Sequence, residues 1–293
     1  MISLVLASLL WSVSFALIGA HDIDPDLLAA ARLGLAALLF APMLRVRGGA
    51  ATTALKLPLK LALIGGLQYG VMYVLVLRSY RHLAGHEVAL LTITTPIFVV
   101  IAESALARRL APRALLGALV AIGAAFVLRT DAAARTDTGG SFWTGFGLVQ
   151  GANVAWAVGQ VLYRRVEGGP SGSAHRFGWL YLGGFAVALA WASTRVPASA
   201  LDLTTRELGV IAYLGLIPSG LAFYLWNRGA LQVDVGRLAV MNNLKIPLAV
   251  AVALLPPFSE PADLVRLVLS FALLAVALTL STPRGAPWRA RRA

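Results

Sequence analysis

Val240 to Leu248 reads V-M-N-N-L-K-I-P-L and places Asn242, Asn243, Lys245 and Pro247 inside an apolar run from about Val235 to Leu255. The run is long enough to cross a bilayer, since about 20 residues at 1.5 Å each match a hydrocarbon core of roughly 30 Å. A lysine at that depth costs about 3 kcal/mol on insertion scales. A proline there removes a rung of the backbone ladder and kinks the helix. Such groups need water, a ligand or partner helices around them. Two readings compete: the ammonium of Lys245 attracts a substrate carboxylate or titrates, or the polar residues lock helices together.

The same pattern recurs 151 residues earlier. Tyr73, Gly85 and Pro96 fall on Tyr224, Gly236 and Pro247, so both halves read Y-x₁₁-G-x₁₀-P. Under this shift Thr92 meets Asn243 and Thr94 meets Lys245. Each proline frees the carbonyl four residues earlier, here Thr92 and Asn243. Those carbonyls can hold a substrate α-amino group, and the side chains of Thr92, Thr95, Asn242 and Asn243 its carboxylate. Trp11, its counterpart Trp156, Tyr73 and Tyr224 supply aromatic surface for a cavity wall. Arg32, near the outer end of its span, is expected to snorkel or to pair with an outer acid. Glu103 is expected to pair locally with Arg108.

The elements that position these residues follow from composition. The chain has 293 residues, 59% of them hydrophobic and 13% charged, against about 25% charged in soluble domains. The fold class is therefore all-α, a polytopic membrane protein. Ten spans are expected, at about 2–20, 27–44, 59–77, 88–106, 113–129, 142–163, 176–194, 207–226, 235–255 and 262–281. Met1 opens directly into the first of these, which reads as a transmembrane helix rather than a cleaved signal. With the N-terminus in the cytoplasm, 16 Lys and Arg fall in inside segments and 6 in outside ones. That bias places both termini in the cytoplasm and accounts for the net charge of +12 without nucleic acid. Two units of five spans, 1–132 and 140–282, then enter the membrane in opposite orientations, an inverted repeat, with a basic tail at 283–293.

Gly66-x-x-x-Gly70 and Gly147-x-x-x-Gly151 read as small-residue packing faces. Asp22-Ile23-Asp24-Pro25-Asp26 resembles the start of a calcium loop but lacks its glycine and its final glutamate, so it reads as an outer turn. There is no cysteine, and His21, His82, His86 and His175 have no metal-ligand spacing, so neither metal nor cofactor is expected.

Tyr224-Leu225-Trp226-Asn227-x-x-Ala230-Leu231, followed by Gly236 and Pro247, resembles the second repeat of the EamA family of the drug/metabolite transporter superfamily. Leu10-Trp11, Arg32 and Ser259-Glu260-Pro261 fit the same pattern, and the resemblance covers essentially the whole chain. It implies ten helices in two inverted five-helix repeats and export of small metabolites by alternating access. Within the family the chain is most similar to bacterial exporters of aromatic amino acids. It departs from them at Thr92-Ile93-Thr94-Thr95-Pro96, where aromatics are expected, and at Ala107-Arg108, where Gly-Glu is expected.

The resulting expectation is a secondary exporter of amino acids, aromatic or otherwise apolar, in the bacterial inner membrane. It acts as a monomer, with the amino acid and the bilayer as its partners. No phosphate-binding G-x-x-x-x-G-K-[ST] motif is present, so a gradient must drive it. Export of cationic drugs is the alternative, disfavoured by the positive Lys245. A membrane-embedded enzyme or a sensor is the second class; the enzyme would need clustered nucleophiles and bases.

Overall fold

In a computed structural model of the chain, residues 1–19, 23–44, 51–133, 140–167, 176–254 and 263–282 are described. Among them there is helix and no strand. Gly48-Gly49, Gly139, Gly168-Gly169-Pro170, Pro256-Pro257, Ser259-Glu260-Pro261, Asp22 and the basic tail lie outside the described residues.

The helices are α1 (Ile2–Ser12), α2 (Ser14–Gly19), α3 (Pro25–Phe40), α4 (Ala51–Gly65), α5 (Met72–Ser79), α6 (Gly85–Leu91), α7 (Thr95–Ala107), α8 (Pro112–Ala133), α9 (Gly140–Glu167), α10 (Phe177–Ala192), α11 (Thr205–Leu214), α12 (Ala222–Ala230), α13 (Val235–Met241), α14 (Lys245–Ala253) and α15 (Leu264–Ser281). Among the described residues six stretches are long and apolar enough to cross a membrane: Pro25–Met43, Lys56–Ser79, Glu87–Ala107, Thr205–Ala230, Val235–Val252 and Leu264–Ser281. Ile2–Ser12, Pro112–Leu128 and Phe177–Ala192 are shorter apolar helices. Outward-facing Leu38, Leu63, Val265 and Val268 are each more than 60% exposed, as a lipid-facing surface requires.

Acidic side chains start several helices. The Asp24 carboxylate accepts from the amides of Asp26 and Leu27, with Pro25 at the first helical position. The described part of the aspartate run is thus a helix cap. Asp234 and Asp263 cap α13 and α15 in the same way, and Thr204 with Glu207 forms a capping box before α11.

Four interruptions shape the interior. A π-helical segment, Gly66–Val71, joins α4 to α5, and another, Gly215–Leu221, joins α11 to α12. A 3₁₀ turn at Thr92–Thr94 separates α6 from α7, and a turn at residues 242–244 separates α13 from α14. The packing partners echo each other between the halves. α3 packs on α10 and α8 on α15. α5 lies against α9, as α12 lies against α1; α7 lies against α9, as α14 lies against α1.

The tightest seam joins α4 and its π segment to α10. A Cβ at Gly65 would fall on the carbonyl of Leu180, and one at Gly183 on the carbonyl of Ala62. Only glycine permits this backbone-to-backbone approach. The Gly66/Gly70 face is therefore a packing face, against Val187, Gly183 and Gly184. Of the second pair, Gly151 meets Leu75, while Gly147 has no heavy atom in Cβ range.

Candidate functional site

The breaks at Thr92–Thr94 and at residues 242–244 border a cavity of about 110 Å³. Its wall includes Trp11 on α1, Arg32 on α3, Tyr73 on α5, Thr92 and Thr95 at the first break, Asn153 and Trp156 on α9, and Lys245 at the second break. It shares Ile18, Leu77 and Tyr80 with a larger cleft of about 700 Å³ at the Asp24 end of α3. At the opposite end of α3, Phe40 stacks on Tyr181, which stacks on Tyr69, which stacks on Phe223. Trp11 meets Trp156, Phe223 and Trp226 with centroids 5.6, 5.4 and 5.0 Å away. The cavity thus opens toward Asp24 and is closed by stacked rings toward Phe40. Such stacks bury large apolar areas with defined geometry.

The first break is held from outside. Beside the 3₁₀ turn, Leu91 O accepts from Asn153 Nδ2 at 3.0 Å, Gln150 Nε2 at 3.3 Å and Thr94 Oγ1 at 3.1 Å. Thr94 Oγ1 also lies 2.7 Å from Gln150 Oε1. Thr95 Oγ1 donates to Thr92 O at 2.7 Å and lies 3.1 Å from Asn153 Oδ1. Thr92 Oγ1 donates to Ala89 O at 2.8 Å. The second break uses its own side chains. Asn243 Nδ2 donates to Ile93 O at 3.0 Å and to Ala121 O at 3.1 Å, tying it to the first break and to α8. Asn242 donates to Leu238 O and accepts from Trp156 Nε1 at 2.8 Å.

The π segment at Gly215–Leu221 also faces this centre. Trp11 Nε1 donates to Pro218 O at 2.9 Å, and Tyr181 OH to Gly220 O at 2.6 Å. Arg32 is 1% exposed and donates from Nε to Ser219 Oγ at 3.0 Å and from Nη2 to Tyr73 OH at 2.7 Å. A third polar knot lies below the rings, where Gln68 donates to Asn227 and Asn227 to Tyr69.

The chain is 38% identical to a biotin transporter of Escherichia coli (strain K12) over 257 residues, 86% of this chain and 83% of that protein. It is 37% identical to a biotin transporter of Salmonella typhimurium over the same shares of each chain. A probable biotin transporter of Pseudomonas aeruginosa is 38% identical over 286 residues, 94% of this chain and 95% of that one. The EamA-like transporter family profile matches residues 1–130. The chain belongs to the EamA-like transporter family. A crystal structure shares the fold of this EamA-like chain with TM-score 0.75 at 22% identity, covering 96% of this chain and 95% of that one. The protein is thus a multi-pass membrane transporter of this family.

Within this EamA-like fold, Lys245, Thr92, Thr95, Trp11, Tyr73 and Trp156 are brought to one cavity. Asn242 stands behind Trp156 and Asn243 is fully buried between helices, so both act on the wall rather than on its surface. Tyr224 does not reach the cavity; it packs on Phe40 and Phe177, and its neighbour Phe223 faces inward instead. The carbonyls expected to be free are engaged: Thr92 O by Thr95 Oγ1, and Asn243 O by the amide of Ile246. Arg32 does not snorkel. Nor does it pair with Asp26, which meets Arg78 at 3.9 Å and Trp191 Nε1 at 3.2 Å. Glu103 pairs with Arg165 at 3.1 Å, across to α9, rather than with Arg108, which adopts a left-handed C-cap. Arg32, Asn153 and Phe223 were not singled out by the sequence as cavity residues. The signals for Arg32 were a charge inside an apolar span and its fit to the family pattern.

Proposed function

We propose that this transporter carries biotin, or a small carboxylate of similar shape, across the membrane through the central cavity by alternating access. The observation that carries the reading is the identity of 38% across nearly the whole chain to proteins named as biotin transporters. The chemistry of the cavity agrees with it. Among the described residues its wall holds two basic side chains, Arg32 and Lys245, and no carboxylate. Asn153, Thr92 and Thr95 add neutral donors and acceptors suited to a ureido group, and Trp11, Trp156 and Phe223 add apolar surface. This wall suits an anion with an apolar body and disfavours cationic drugs. The expected amino-acid substrate draws no support from the relatives.

The architecture that serves this function is ten spans in two inverted repeats, 1–132 and 140–282, acting as a monomer in the inner membrane with both termini cytoplasmic. Two pairs of matching interruptions and the echoed packing partners support the repeat. On that orientation the cleft at Asp24 faces outward and the stacked rings close the cytoplasmic side. Lys245, Thr92, Thr95, Trp11, Tyr73 and Trp156 meet the substrate, and Asn242 and Asn243 hold the second break in shape.

Purified protein in liposomes, given labelled biotin and labelled phenylalanine, tests the reading. Saturable biotin flux that unlabelled biotin suppresses and phenylalanine does not is expected. Phenylalanine flux without biotin flux would restore the amino-acid reading, and flux of neither would end both.

A further inference from the structure

We propose that Arg32 is the anchor for the substrate carboxylate, a specificity-determining role that rests on the transport reading above. Arg32 is nine-tenths or more buried, yet it lines the cavity. Its guanidinium has five N–H donors in a fixed plane. One edge is occupied: Nε donates to Ser219 Oγ and Nη2 to Tyr73 OH, and these two oxygens lie 3.1 Å apart and brace each other. Ser219 is itself fixed by donating to Leu214 O at 2.8 Å, and Tyr73 also places its ring 4.5 Å from the guanidinium carbon. The fork is therefore held in one orientation from both halves of the molecule.

The other edge is not used. Arg32 Nη1 has no hydrogen-bond partner among the described residues, and neither has Ser14 Oγ, a second buried group on the same cavity wall. No described acid pairs with Arg32; the carboxylates nearest in sequence, Asp24 and Asp26, are taken by Arg81 and Arg78. A buried guanidinium without a counter-charge is costly, and an orphaned donor beside it adds to the cost. A carboxylate laid against Nη1 and the remaining N–H of Nη2, with Ser14 Oγ as a further donor, removes both costs at once. Arginine is suited to this task because the two-toothed geometry matches the two carboxylate oxygens. Ile18, Met72 and Val76 on the same wall then cover the apolar chain that carries the carboxylate. Lys245 adds charge without such a fork.

The test is acid against matched amide. Purified protein in detergent is titrated with biotin and biotinamide, and with phenylalanine and phenylalaninamide, and thermal stabilisation gives the apparent affinity of each. The wild-type protein is expected to prefer biotin over its amide by about tenfold or more. In Arg32→Gln the acid and the amide converge while the amide affinity stays near wild type. Arg32→Lys recovers only part of the preference. Ser219→Ala, which keeps the charge but releases Nε, loses it several-fold and covers the case in which Arg32→Gln does not fold. A preference for the acid that survives in Arg32→Gln and in Ser219→Ala overturns the proposal, as does equal binding of acid and amide by the wild-type protein. If the acid preference appears with phenylalanine and not with biotin, the anchor stands and the biotin reading falls.

Discussion

The two broken helices meet the same backbone problem in opposite ways. At Thr92–Thr94 the carbonyl of Leu91 takes side-chain hydrogen bonds from Asn153 and Gln150, which reach in from α9. At residues 242–244 the break carries its own amides and spends them on other helices, with Asn243 reaching Ile93 and Ala121. The first break receives polar support, and the second gives it. The second also begins α14 with Lys245, where the first begins α7 with Thr95. A neutral face thus stands opposite a cationic one. An oriented amphiphile with one charged end fits such a site better than a symmetric one does.

The largest expected effect tests the charge. Lys245→Gln is expected to lower biotin flux in liposomes by about tenfold or more, on the scale of losing a buried charge contact, with the protein still inserted and monodisperse. Adding Thr94→Lys to it moves the cation to the first break and is expected not to restore flux. Restoration would mean that the two breaks are interchangeable.

Next comes the support each break depends on. Asn153→Leu removes one donor to Leu91 O and weakens the hold on Thr94 and Thr95, and is expected to cost about 1–3 kcal/mol, read as a lower Tm in detergent. Asn243→Leu removes the bonds to Ile93 O and Ala121 O that tie the second break to the first and to α8, and is expected to cost a similar amount. If Asn153→Leu leaves Tm unchanged, the first break does not rely on α9. Trp156→Phe keeps the aromatic wall and removes only the bond to Asn242, so about 0.5–1.5 kcal/mol is expected, with a modest rise in KM. The smallest effect belongs to Tyr224→Phe, whose ring packs away from the cavity; flux and Tm are expected to stay within about 0.5 kcal/mol of wild type.

Much of this site was legible from residue types. Pro96 and Pro247, each preceded by polar residues in an apolar span, marked both breaks, and the intramembrane lysine marked the cavity. Three parts were not. The expected span bounds set Arg32 near a helix end, where long basic side chains ordinarily reach water; in the fold it is the eighth residue of α3, and Ser219 and Tyr73 are brought against it. Asn153 is a lone amide in G-A-N-V-A, and nothing local says that it faces a break 58 residues away. Tyr224 was assigned to the wall by its match to Tyr73. Phe223, the counterpart of Met72 under the 151-residue shift, faces the cavity beside Tyr73, with centroids 5.6 Å apart, while Tyr224 turns to Phe40 and Phe177. The helices packed around that ring set its direction, so it appears only in the fold.

The account's central claim is that the substrate sits between the two breaks with its carboxylate toward the basic side chains. A structure determined with biotin bound tests it most directly. The claim predicts ligand density in the cavity, with the carboxylate within hydrogen-bond distance of Arg32 and the ring system against Trp11 and Trp156. Density confined to the cleft at Asp24, or a carboxylate turned away from both Arg32 and Lys245, would contradict it.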